Sequence, residues 1–198
     1  MLLINESLEK CTVDDIMKNE GVLLEGHFLL SSGKHSNKYL QCAKIFKKSN
    51  VSEFLCKKLA EVFADYGVEV VVGPALGAVI MSYEVSRHLG AENLFAEREN
   101  GKMTLRRGFE VHKGQRVLLV EDVVTTGGSL REVMSVMNDC GADIVGVGCI
   151  VDRTGGEIDF GVPFKSVISM KVECFDTHNC PECQKSLPLI KPGSKNLV

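Results

Sequence analysis

Glu121 and Asp122 stand at the end of an apolar run, Val117-Leu118-Leu119-Val120, and are followed within a few residues by Thr125-Thr126-Gly127-Gly128-Ser129. Adjacent carboxylates repel anions and accept hydrogen bonds from hydroxyls. Glycines and hydroxyls at the start of a helix do the reverse, because backbone N–H groups converge there and the helix dipole favours negative charge. With a helix starting near Leu130, residues 125–129 form a cup for a phosphate dianion, and Glu121 and Asp122 form an acceptor pair for a vicinal diol. Phosphate beside a diol describes a 5-phosphoribosyl group. Two other phosphate loops are excluded by residue type. A P-loop needs Gly-Lys-Ser/Thr, whereas Gly127-Gly128 runs into Ser129-Leu130. A dinucleotide GxGxxG must follow its strand directly, and Glu121-Asp122-Val123-Val124-Thr125-Thr126 occupies that place. A capped helix with ordinary surface acids leaves unexplained why two carboxylates crown an apolar strand.

Such a loop has to be held at the end of a buried strand, and the rest of the chain supplies the frame. From Val68 onward, β-branched runs alternate with helical spacing: VEVVVGP and a helix, LFAERE, QRVLLVED and a helix, then DIVGVGCIVD. This alternation predicts an α/β fold, a Rossmann-like parallel sheet flanked by helices, with ligands at the carboxyl ends of the strands. Three loops should lie there: residues 73–77, residues 121–129 and the residues after Val151. Upstream, Leu8, Cys11, Val13, Ile16 and Met17 are spaced for one face of a helix over residues 7–19, stopped by Gly21. Two apolar stretches around the polar tip Ser31-Ser32-Gly33-Lys34-His35-Ser36-Asn37 predict a β-hairpin. A second helix is expected over residues 52–66, with Phe54, Leu55, Leu59, Val62 and Phe63 inward and Gly67 ending it. Residues 96–114 are rich in Arg and Lys, lack periodicity and read as a loop long enough to be a lid. One domain over residues 1–198 is expected, with an N-terminal hood at about 1–46 and a turn-rich C-terminal strap at about 171–198.

At 198 residues and 44% hydrophobic, the chain can bury one good core. Its 23 basic and 26 acidic residues leave a net charge of -3, so nothing global advertises nucleic acid or an anionic membrane as a partner. No apolar run approaches a transmembrane length, and acids occupy the N-terminal region where a signal peptide would carry positive charge; a cytoplasmic protein is expected. Of eight cysteines, Cys11, Cys42, Cys56, Cys140 and Cys149 are scattered through apparent core elements and read as reduced thiols. Cys174, His178, Cys180 and Cys183 form C-x3-H-x-C-x2-C, open to three readings: a structural zinc site, a dithiol couple, or reduced cysteines in a packed tail.

VLLVEDVVTTGGSL resembles the phosphoribosyl-diphosphate (PRPP) signature of the type I phosphoribosyltransferases, in which hydrophobic residues precede two acids and a Thr/Gly-rich loop. With EGHFLLSSGKHSNKYLQCA and VDRTGG added, nearly the whole chain is similar to the orotate phosphoribosyltransferase family, and HNCPEC and LPLIKPGS resemble one bacterial subgroup of it. The resemblance implies transfer of phosphoribose from PRPP to orotate, giving orotidine 5'-monophosphate and diphosphate in pyrimidine (UMP) biosynthesis. It implies PRPP binding by Glu121, Asp122, Val123, Val124, Thr125, Thr126, Gly127, Gly128 and Ser129. Orotate would meet Thr125, Arg153 and Tyr39, and diphosphate would meet Ala75, Leu76 and Gly77. An arginine fork suits a planar anion. Catalysis would rest on Glu121 and Asp122 with the lid cations Arg98 and Lys102, helped by Arg106 and Arg107. Mg2+ held mainly by PRPP, and a homodimer whose lid crosses to the neighbouring site, complete the implied picture.

The chain also departs from the family pattern. Ser31 stands where many members have lysine, and Leu76-Gly77 where they have Tyr-Lys; Lys34 or Lys38 would have to replace the missing charge. The lid lacks its histidine unless His112 substitutes. Two alternatives follow from the PRPP loop, which cannot name the base: a purine phosphoribosyltransferase, or a PRPP-sensing regulator that binds nucleic acid. Arg153 and the hood favour an anionic pyrimidine, and the charge balance and the lack of an added helix-turn-helix stand against the regulator.

Overall fold

The computed structural model describes Leu8 and residues 11–30 and 32–192. Ser7, Ser31 and the end of the strap at residues 193–198, all part of the expectations above, lie outside the described residues. A mixed six-stranded sheet forms the centre, in the order β5-β4-β3-β6-β7-β8: β3 is Val70–Pro74, β4 Glu92–Glu99, β5 Lys102–Leu105, β6 Arg116–Val124, β7 Asp143–Asp152 and β8 Phe164–Ser169. Every pairing is parallel except β4 with β5. Side chains alternate across a strand, so each apolar run serves two cores. Val71, Leu118, Val120 and Ile150 face one core, with α2 (Ser49–Val62) and α3 (Val79–Leu89) packed there. Val70, Val72, Val117, Leu119, Val147 and Cys149 face the other, under α4 (Gly128–Asp139). A helix on each face is what the alternating pattern predicts. Among the described residues, no helix is long and apolar enough to cross a membrane.

The short α1 (Val13–Asn19) starts where Thr12 caps it: the Thr12 hydroxyl accepts from the Asp15 N–H at 3.1 Å, while the Thr12 N–H donates to the Asp15 carboxylate at 3.2 Å. The hood hairpin pairs β1 (Leu23–Leu29) with β2 (His35–Leu40), and a bulge between Glu25 and Phe28 gives β1 one extra residue there. The strap runs along both outer edges of the hairpin. Phe175 exchanges backbone bonds of 2.8 Å with His35, and Ile190 bonds the backbone of Leu29 and His27, also at 2.8 Å. Between these two contacts lies the four-residue α5, Pro181–Gln184.

Three readings are corrected by these elements. The expected lid loop is largely a β-hairpin, β4 and β5, because Asn100 and Gly101 both take positive φ (51° and 82°) and close a tight turn between the strands. In α2, Leu55, Leu59 and Phe63 after the helix are fully buried, but Val62 is 45% exposed and Phe54 only half-buried; Val51, Cys56 and Ala60 take the inner face. α2 also begins three residues early and yields to a 3-10 turn, Ala64–Tyr66, ended by Gly67 at φ 59°. Cys42, Cys56 and Cys149 are buried free thiols, as expected, whereas Cys11 is exposed and Cys140 half-buried. Burial raises the pKa of Cys42 and Cys56 to about 12, which leaves them unreactive.

Candidate functional site

The end of β6 and the start of α4 enclose a cup of 260 Å³, lined by Glu121, residues 123–130, Arg98 and Glu132. Gly127 makes the turn possible. Its φ is 72°, and a Cβ there would come within 2.6 Å of Ile158 and 2.9 Å of Phe160. Only glycine serves at such a position. The turn points the first amides of α4, at Gly128 and Ser129, toward the cup.

Glu121 and Asp122 are half-buried on the strand just before the cup. Burial, then the charge of Asp122, raises the Glu121 carboxyl to about 8. Burial raises Asp122 too, against the Val123 N–H that donates to its Oδ1 at 2.8 Å. Two carboxylates with little solvent and few donors of their own await hydroxyls or a cation. The loop after β3 approaches the same pair: a Cβ on Gly77 would lie 3.4 Å from an Asp122 oxygen. Gly73 is as confined, since a Cβ there would meet Ala78 at 2.8 Å. Leu76 is 88% exposed, and Ala75 is fixed by its N–H to the Ala96 carbonyl at 2.7 Å.

A second cavity of 610 Å³ opens beside the cup and shares Thr125 and Thr126 with it. Arg153 lines it, together with Leu29, Leu30 and Tyr39 of the hood and Val172, Lys191 and Pro192 of the strap. The Tyr39 ring rests against Phe28, with centroids 5.7 Å apart. Arg153 follows β7, whose last residue organises the turn: the buried Asp152 accepts from the N–H and hydroxyl of Thr154, the N–H of Gly156 and the hydroxyl of Ser169 at 2.6–2.7 Å. Burial works against the Asp152 carboxylate, but those hydrogen bonds outweigh it and hold its pKa below the ordinary value. The Arg153 N–H donates to the Val124 carbonyl at 2.9 Å, pinning the arginine beside the cup. Its Nε is buried and has no hydrogen-bond partner among the described residues.

The expected basic residues divide into tethered and unpaired ones. Arg98 lines the cup and is gripped by Glu132 (2.7 Å) and by the Gly101 carbonyl (3.0 Å). Arg106 and Arg107 pair with Glu97 and Glu99 along the lid hairpin. Lys102, at the start of β5, is exposed and makes no ion pair among the described residues. Neither Lys34 nor Lys38 lines the cup or the second cavity; Lys34 pairs with Asp176 of the strap at 3.5 Å, because the hairpin tip turns that way. His112 lines a separate depression with Phe109 and Cys140, so it does not supply a lid histidine over the cup.

The expected quartet of Cys174, His178, Cys180 and Cys183 is not brought together. Cys180 and Cys183 instead meet His27 and His35 of the hood. Cys174 is exposed, with its Sγ toward the Val172 carbonyl, and His178 is exposed. Sequence neighbours were a poor guide because the strap packs on a hairpin far upstream. Asp152 and Glu132 were also missed. For Asp152 a local signal exists in Asp-x-Thr-x-Gly, the pattern of a side chain that folds back on its own turn; Glu132, on a helix well removed from Arg98, gives none.

The model of the phosphoribosyl transferase domain matches residues 43–179. Orotate phosphoribosyltransferase of Caldanaerobacter subterraneus subsp. tengcongensis is 53% identical over 190 residues, 96% of this chain and 100% of that protein. The enzyme of the same name from Thermotoga maritima is 51% identical over 185 residues, 93% of this chain and 99% of that one. Among solved structures, the orotate phosphoribosyltransferase of Aeropyrum pernix superposes with a TM-score of 0.66 at 26% identity, covering 81% of this chain and 94% of that one.

Proposed function

The chain belongs to the orotate phosphoribosyltransferases, and from that premise we propose how its own residues transfer a 5-phosphoribosyl group from PRPP to orotate, releasing diphosphate. The observation that carries the assignment is the junction at Thr125 and Thr126, where a cup of amides and hydroxyls meets a cavity holding an unpartnered arginine nitrogen. The 5-phosphate occupies residues 125–129 at the start of α4, and Glu121 and Asp122 accept from the ribose hydroxyls. Orotate lies in the cavity between Tyr39 and Thr125, its carboxylate on Arg153. Ala75, Leu76 and Gly77 face the diphosphate, and the closeness of Gly77 to Asp122, 3.4 Å from where a Cβ would stand, supports that placement.

Breaking the bond at ribose C1 builds positive charge on the sugar and negative charge on the departing diphosphate. Glu121 and Asp122, held close to the sugar, favour the first charge; no protein nucleophile is needed. Lys102, without an ion pair among the described residues and next to the turn of the lid hairpin, closes on the second charge with Arg98. The neighbouring acids fit a Mg2+-bearing diol, being oxygen donors with few partners of their own. Bound with PRPP, Mg2+ supplies Lewis-acid charge to the leaving group. The enzyme works in the cytoplasm as a homodimer, with the exposed apolar stripe of Leu76, Ile80 and Tyr83 as the surface available to a second copy.

The test mixes purified protein, PRPP and Mg2+ with orotate, adenine or hypoxanthine. Loss of orotate absorbance with matching diphosphate release is expected. Turnover of a purine with none of orotate would overturn the assignment, and binding of PRPP without any turnover would favour a sensor.

A further inference from the structure

We propose that His27, His35, Cys180 and Cys183 form a structural zinc site that fastens the strap to the hood. The four ligand atoms, His27 Nε2, His35 Nδ1 and the two Sγ atoms, all lie within 4.8 Å of one another. The S···N separations are 3.5 Å (Cys180 to His27), 3.6 Å (Cys183 to His27) and 3.3 Å (Cys183 to His35). A tetrahedral zinc, with bonds of about 2.3 Å to sulfur and about 2.0–2.1 Å to nitrogen, spans S···N edges of about 3.6 Å and an N···N edge of about 3.4 Å. The two distances from His27 match that edge, and the Cys183 to His35 distance is about 0.3 Å short of it. The two histidine nitrogens, 2.8 Å apart, need to part by about 0.6 Å, within reach of small rotations of the two rings.

Chemistry and surroundings point the same way. Two thiolates and two imidazoles in a closed tetrahedron select zinc over magnesium or calcium. His27, His35 and Cys180 are buried, so no position is open for substrate and the role is structural. His27 Nδ1 lies 2.9 Å from the Leu187 carbonyl, a contact that calls for the proton on Nδ1 and leaves the Nε2 lone pair facing the sulfurs. The strap needs such a fastening: Leu187, Leu189 and Ile190 are 43–53% exposed, and Cys180 is its one buried apolar residue among those described. A segment with so little apolar burial gains its order from a cross-link. Because strap residues Val172, Lys191 and Pro192 complete the cavity that holds Arg153, the metal would brace the base site from outside it.

The experiment is metal analysis of the full chain purified without chelator, followed by Co2+ substitution. One zinc per chain is expected, with intense visible bands of tetrahedral cobalt and a sulfur-to-cobalt charge-transfer band. Cys183→Ser should lose the metal and the charge-transfer intensity, while Cys174→Ser and His178→Ala keep both. A metal-free wild-type protein that gives no tetrahedral cobalt spectrum would overturn the site, as would loss of metal in the Cys174 or His178 variant. Should Cys183→Ser not fold, the cobalt spectra of the wild type and the two control variants decide the matter. The readout needs no turnover, so it stands apart from the fate of the orotate assignment.

Discussion

Among the described residues, Arg153 Nε is a donor buried without an acceptor, an arrangement that costs roughly 1–3 kcal/mol until a partner arrives. A planar carboxylate is such a partner, and the ligand then repays the enzyme by satisfying it. Arg153→Ala is therefore expected to raise KM for orotate by about ten- to a hundredfold while PRPP binding changes little; steady-state kinetics with each substrate varied will show the split, and equal losses for both would refute the role. Glu121 carries the opposite kind of strain. Its folded-state pKa is raised to about 8, so the folded protein prefers the protonated form. Stability from this group is full below the ordinary carboxylate range, falls as pH rises toward 8 and is level above. Glu121→Gln should thus melt higher than the parent at pH 8 and above, by about 1–3 kcal/mol, converge with it near pH 4, and lose turnover at least tenfold. Thermal melts across that range check the sign: a parent protein that gains stability from this group between those limits would contradict it.

At the scale of elements, the site is a set of turns that tolerate few residues. Gly127→Ala adds a methyl 2.6 Å from Ile158 at a φ of 72°, so urea unfolding should show a loss of about 1–3 kcal/mol, and PRPP affinity should fall with it because the amides of α4 are re-aimed. Gly128→Ala, whose nearest neighbour would be 3.7 Å away, is the matched control with a smaller loss. The turns also show what could be read beforehand. β6, its two acids and the glycine turn are contiguous, so one stretch of sequence encodes strand, cup and helix start together. The lid hairpin was legible too, in Asn100-Gly101, but irregular side-chain alternation around that pair masked it. β8 was unforeseen because none of its six residues is fully buried and they form no long apolar run; it is an edge strand, and its order comes from β7.

Across the whole molecule, legibility falls with separation along the chain. The centre of the sheet was readable because β3, β6 and β7 are local apolar runs, largely buried on both faces. The union of hood and strap was not, since it joins residues such as His27 and Cys183 that share no pattern and meet only after folding. The proposed homodimer would use the exposed apolar surface of α3, where Ile80 and Tyr83 are 53% and 57% exposed, together with Leu76. Tyr83→Glu is expected to shift a homodimer to monomer in light scattering, with the melting curve of the subunit largely kept; an unchanged mass would place the interface elsewhere. Finally, the strap pairs with both edges of the hairpin, so residues 27–35 and 175–190 close over one another. During synthesis the hairpin emerges well before the strap and waits, with both outer edges open, for residues made much later, whereas the phosphate cup has its full complement once β7 and the loop through Phe160 have emerged. A growing chain would then acquire its grip on the phosphosugar before it acquires any choice of base.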